Sequence, residues 1–173
     1  MRRILFILII VMLICGCGNE GKKITYDIII PDERIFTFED LEEIGFKKNR
    51  QYDVSKLEGA KEAWNGFWSP DKKQKEYELR FYPSHSVAVA SGESFAEEVT
   101  GKDAKLKKSE VTWQEGIKDR RQIIGREGGS RNSVGPKHGN YAIFANIVML
   151  CEGPEELSLE VCWKLITALK SKD

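Results

Sequence analysis

Past residue 24 the chain runs in short blocks whose apolar side chains recur first at every second position, then at every third or fourth. Tyr26 to Ile30 (YDIII) is rich in β-branched residues and stops at Pro31, which predicts a short strand or extended arm in an edge position. Thr37-Phe38-Glu39-Asp40 has the spacing of a capping box, and Gly45 follows Ile44 as a stop, so a short helix is expected from Phe38 to Ile44. Lys61 to Trp68 (KEAWNGFW) and Tyr77 to Tyr82 (YELRFY) flank the polar stretch from Ser69 to Glu76 and predict a β-hairpin. In its second strand Tyr77, Leu79 and Phe81 share one face while Glu78 and Arg80 share the other, the alternation of a half-buried strand.

Pro83 ends that strand, and Ser84 is placed to cap a helix through about Val99, with Ala88, Gly92, Phe95 and Val99 on one stripe and Gly101 as the stop. Ala88 and Gly92 are small enough to let this helix lie close on a sheet. A lysine-rich connector (Lys102 to Lys108) leads to Ser109, after which Trp113, Ile117, Arg121 and Ile124 recur at helical spacing, interrupted by Gly116. Gly125 to Gly139 (GREGGSRNSVGPKHG) reads as a long loop. Tyr141 to Cys151 (YAIFANIVMLC) is apolar at nearly every position, as in a strand covered on both faces. Gly153-Pro154-Glu155-Glu156 opens a last helix, with Leu157, Val161, Leu165 and Leu169 as its buried stripe. The order of elements predicts an α+β fold, a single small domain in which helices pack on one face of a mainly antiparallel sheet.

The first residues follow a different rule. Met1-Arg2-Arg3 precedes an unbroken apolar run, Ile4 to Ile14 (ILFILIIVMLI), which is too short to span the roughly 30 Å of a bilayer core but has the outline of a secretory signal. The run ends in Ile14-Cys15-Gly16-Cys17, and these four positions resemble the lipobox of bacterial prolipoproteins. The resemblance implies that residues 1–16 are a signal peptide and that Cys17 carries a diacylglyceryl group. Ile14 stands where Leu is commoner and Cys15 where Ala, Ser or Thr is commoner. On this reading residues 17–24 are a lipid-anchored tether, Gly18 to Lys23 (GNEGKK) being polar and glycine-containing, and 25–173 are the extracytoplasmic domain. The expected location is the cell membrane or outer membrane, with two or three buried acyl chains supplying the anchor.

Composition narrows the partners. The 173 residues are 41% hydrophobic and 10% aromatic, the make-up of a packed globule, with 27 basic and 27 acidic side chains. Loss of Arg2 and Arg3 with the signal leaves 25 against 27, so no basic field attracts nucleic acid. Cys151 and Cys162 are the thiols left once Cys15 departs and Cys17 is acylated. In an oxidising compartment they form either a disulfide or a pair of reduced core cysteines, and spacing alone does not choose between them.

Candidate chemistry is sparse. His85 and His138 are the only histidines; no HExxH or CxxC pairing, P-loop or GxSxG elbow occurs, so no metal, cofactor or catalytic residue is assigned. Arg120, Arg121, Arg126 and Arg131 form a basic region that could face an anionic ligand, or else a solvated helix face. Trp64, Phe67 and Trp68 occupy both sides of one strand and fit core packing better than an exposed patch. The leading expectation is a monomeric, lipid-anchored envelope protein that binds a ligand or a partner protein. The alternatives are an envelope hydrolase built on His85 or His138 and a purely structural envelope component.

Overall fold

The computed structural model describes residues 24–124 and 133–172. Its frame is a six-stranded sheet in the order β1-β7-β8-β4-β3-β2 (Ile29–Ile30, His138–Phe144, Ile147–Glu152, Lys75–Phe81, Glu62–Trp68, Lys47–Tyr52), beside a two-stranded sheet of β5 (Arg121–Ile124) and β6 (Ser133–Pro136). Every pairing is antiparallel except that of β1 with β7. The mainly antiparallel α+β architecture is therefore as the apolar pattern predicts, and β1 takes an edge.

Alternate residues of the central strands feed two cores. Tyr77, Leu79 and Phe81 of β4, with Ile147, Met149 and Cys151 of β8, point toward helices α1 (Phe38–Glu43) and α4 (Glu155–Lys170). Val148 and Leu150 point the other way, into a second core with Ala88, Ala96 and Val99. That second cover is a helical segment made of α2 (His85–Val87), a π turn over Ala88–Gly92, and α3 (Glu93–Glu97). Helices on one face thus describes α1 and α4, while the segment from 85 to 97 closes the opposite face. Gly92 permits the close approach: a Cβ there would stand 2.8 Å from the Tyr82 ring and from Val148 Cγ2.

The local signals act as their chemistry requires. The Thr37 amide donates to the Asp40 carboxylate at 2.7 Å, and the Val87 amide donates to Ser84 Oγ at 3.3 Å. In α4 the buried stripe is Val161, Cys162, Leu165, Ile166 and Leu169; Leu157, expected inside, is 56% exposed because Ser158 takes the buried place in the first turn.

Other segments depart from expectation. The apolar run from Tyr141 to Cys151 is a hairpin rather than one strand, turning at Ala145-Asn146. Ala145 has φ +49°, and the buried Asn146 side chain accepts from the Phe36 amide and donates to the Phe36 and Tyr82 carbonyls. Contacts far away in sequence thus hold a turn that carries no glycine. Lys47–Tyr52 (KKNRQY) is an edge strand whose exposed polar side chains hide any apolar alternation. The helix expected after Ser109 is absent: turns run from Glu115 to Arg120, Gly116 has φ +70°, and Arg121–Ile124 is a strand. Part of the expected loop from Gly125 to Gly139 is strand, β6 and the start of β7.

Candidate functional site

Strand β4, expected to be half-buried, is covered on both faces from Tyr77 to Phe81. Glu78, Arg80 and Arg120 are fully inaccessible and His138 nearly so. Glu78 and Arg80 project from β4 on the side away from α4, and the turns before β5 lay Arg120 over them. Arg80 Nε donates to Glu78 Oε1 at 2.8 Å, while Arg120 Nε and Nη2 donate to Oε2 and Oε1 at 2.7 and 3.0 Å. Arg80 Nη2 also lies 2.7 Å from Oε1, an ion-pair contact without hydrogen-bond alignment. Both guanidinium groups stack on Trp113, 5.0 and 4.7 Å from its ring centre. Burial pushes the Glu78 carboxyl up, but Arg120 and Arg80 outweigh it and hold the group at about 2. Burial also draws His138 down to about 3, against the attraction of Glu78.

This cluster fastens the 100–120 connector to the sheet. Around it the Tyr52 hydroxyl donates to Asp119 at 2.8 Å, Arg50 pairs with Asp119 at 3.0 Å, and Trp113 Nε1 donates to the Asp53 carbonyl at 3.1 Å. Arg120, expected on an anion-binding surface, is consumed by Glu78 and reaches no solvent, so that assignment is corrected for it. Arg121 is half-buried in β5; Arg126 and Arg131 lie outside the described residues, as do the expected signal peptide and Cys17.

Among the described residues neither histidine is hydrogen-bonded to a carboxylate, hydroxyl or thiol. His85 Nδ1 bonds to the Ala145 carbonyl at 2.8 Å, and Ser84 and Ser86, its neighbours, bond to each other at 2.9 Å. The ring nitrogens of His138 are sealed inside the cluster. Among the described residues no group of three or more His, Cys, Asp or Glu side chains could hold a metal ion. Cys151 and Cys162 form a disulfide with Cα atoms 5.6 Å apart, joining β8 to the second turn of α4.

A groove of about 460 Å³ lies on the α4 side, lined by the rings of Tyr26, Trp68 and Trp163. Its walls are α4 and the 3₁₀ turn Pro70–Lys72, tied together by Lys164, whose Nζ sits 2.8 Å from Asp71 and 3.1 Å from Glu160. Asp71 and Lys72 both hold left-handed backbones, φ +54° and +63°, uncommon for residues other than glycine and costly for lysine. The Lys164 hydrogen bond holds the Asp71 carboxyl below the usual carboxylate range. Trp68 Nε1 donates to the Ile44 carbonyl and Trp163 Nε1 to the Asp27 carbonyl, both at 2.9 Å. With the polar edges of both indoles satisfied by backbone, their ring surfaces are what the groove offers. Tyr26 stacks on Trp163 with ring centres 5.7 Å apart. Trp64, by contrast, packs against the core and Phe38, as expected; Trp68 belongs to both core and groove.

Sequence reasoning missed this site. Trp163 falls off the apolar stripe of α4, Tyr26 sits in the N-terminal arm, and only the fold sets them beside Trp68.

Fold and site together define an α+β domain with an aromatic groove on its helical face and a sealed ionic cluster on the other. The chain belongs to a family of unknown function, DUF6810, whose profile matches residues 37–171. The groove residues Trp68 and Trp163 and the whole ionic cluster fall within that match, whereas Tyr26 and Cys17 precede it. No curated protein and no solved structure matches the chain.

Proposed function

We propose that this protein is a lipid-anchored component of the bacterial cell envelope, held through acylated Cys17, whose domain is a binding module working through the groove of Tyr26, Trp68 and Trp163. The observation that carries the reading is the groove itself: three aromatic rings present apolar surface to the outside although both indole N–H groups are already bonded internally. The anchor half of the proposal rests on the Ile4–Ile14 run and the Gly16-Cys17 junction. Among the described residues no helix is long and apolar enough to cross a membrane.

The test is metabolic labelling with a fatty-acid probe in a bacterial host, followed by fractionation. Cys17→Ser is expected to abolish labelling and to release or mislocalise the domain. Unchanged labelling in that variant, with loss in Cys15→Ser, would overturn the assignment of the thiol.

A further inference from the structure

The groove has a particular relation to the start of the described chain. Ile24, Tyr26, Ile28 and Ile30 occupy alternate positions of the N-terminal arm; Tyr26 lies on Trp163 of α4 and Ile30 enters the core beneath α4. Ile24 and Ile28, on the same arm as Tyr26, are 69% and 36% exposed. Cys17 is seven residues before Ile24, so a lipid on it can stand no farther than about 25 Å from the arm even along a fully extended tether. Polar headgroups and interface add only several ångströms on each side of the hydrocarbon core.

Lysines stand around the same face. Lys170 Nζ lies 5.3 Å from the centre of the Trp163 ring and Lys72 is exposed on the turn that forms one groove wall, while Lys164 between the walls is paired with Asp71 and Glu160. Tryptophan and tyrosine ring surfaces with flanking lysines are the side chains that settle at a membrane–water boundary, and anionic headgroups attract Lys72 and Lys170 further.

From this juxtaposition we infer that the groove face of Tyr26, Trp68 and Trp163, together with the exposed Ile24 and Ile28 of the adjoining arm, rests on the surface of the bilayer that holds the Cys17 lipid. The domain is then docked rather than free on its tether, with the sheet face that carries the ionic cluster turned away from the membrane. The inference depends on the anchor proposed above, and it names the occupant of the groove as lipid interface.

The experiment uses the full acylated chain, purified from membranes and reconstituted into phosphatidylethanolamine–phosphatidylglycerol vesicles with brominated acyl chains, which quench nearby tryptophan. Quenching of roughly half the emission is expected, the share of Trp68 and Trp163 among the four tryptophans. It should disappear in Trp68→Phe/Trp163→Phe and persist in Trp113→Phe. Because those changes touch packed rings, a second measurement leaves them intact: an environment-sensitive dye on Ser171→Cys at the groove rim should shift to the blue on vesicles, and the same dye on Ser94→Cys of α3 should not.

Cosedimentation without quenching, or equal dye spectra at the two sites, would overturn the docking alone. A dimer that Trp163→Phe dissociates, again without quenching, would assign the face to a second copy. Failure to cosediment would remove the anchor and the docking geometry with it.

Discussion

Replacement of Glu78 by Gln gives the sharpest reading of the buried cluster. The substitution keeps the shape of the side chain and removes its charge, leaving Arg80 and Arg120 fully buried over Trp113 with no anion between them. Three charge-assisted hydrogen bonds at 2.7 to 3.0 Å lose their ionised acceptor. Breaking a buried pair from one side costs about 3–5 kcal/mol, because the remaining charge is uncompensated, and here two charges remain. At about 2–4 °C per kcal/mol for a domain of this size, the melting temperature should fall by roughly 10 °C or more. Urea and thermal denaturation at pH 7 measure the loss. The triple change Glu78→Leu/Arg80→Met/Arg120→Met should recover most of it, since removing the whole set also removes the desolvation penalty. The carboxyl adds a signature in pH: it is held at about 2 when folded against an ordinary 4.5, so its stabilisation is complete above pH 4.5 and is lost as pH falls toward 2. Glu78→Gln should flatten the stability profile in that window. A loss below about 1 kcal/mol at pH 7 would refute the view that the cluster depends on this carboxylate.

His138, drawn down to about 3 from an ordinary 6.5, stays neutral in the fold while the unfolded chain takes up a proton. Stability should therefore decline as pH drops from 6.5 toward 3, by up to about 1.4 kcal/mol per unit, and His138→Phe should remove that slope in denaturation curves across the same range. The disulfide closes a loop with a sequence separation of 11, so Cys151→Ala and Cys162→Ala should each cost about 3 kcal/mol in urea denaturation, with little further loss in the double variant; equal stability with and without reductant would count against a stabilising bridge. Gly139→Ala would set a Cβ 2.5 Å from backbone atoms of Gly153, Pro154 and Glu155 at the entry to α4. Since no side chain can swing aside there, a thermal melt should report a loss of about 1–3 kcal/mol or more.

Periodicity and caps made much of this fold legible in advance. The Ser84 cap, the Thr37 and Asp40 pair and the proline before α4 are signals within a few residues of the structure they form, and each is realised; the alternation in β4 sorts its side chains to two faces, but both faces are buried. Where the chain departs from expectation, distant partners decide. The expected helix after Ser109 gives way to turns and a strand because Arg120 is drawn into Glu78 and Arg121–Ile124 pairs with residues 133–136. The Ala145-Asn146 turn depends on Phe36 and Tyr82, far away along the chain. The candidate site shows the same division, since Trp68 alone of its rings stood out in the aromatic cluster of β3, and Trp163 and Tyr26 carry no local mark.

By itself the amino-acid order determined the class of fold and the covering of both faces of the Tyr141–Cys151 segment, because apolar period and capping chemistry act over one or two turns. It also carried the Ile4–Ile14 run and the Cys17 junction on which the proposed anchor rests. Only the tertiary structure decided that Glu78 and Arg80, charged and alternating as if toward solvent, are as fully buried as Tyr77 and Leu79 beside them in β4. A strand face is wet or dry according to what the rest of the chain lays over it, and here residues 85–120 bring a second core and a matching arginine. The groove arises in the same way: three rings from the arm, β3 and α4 meet because the sheet order sets those elements side by side.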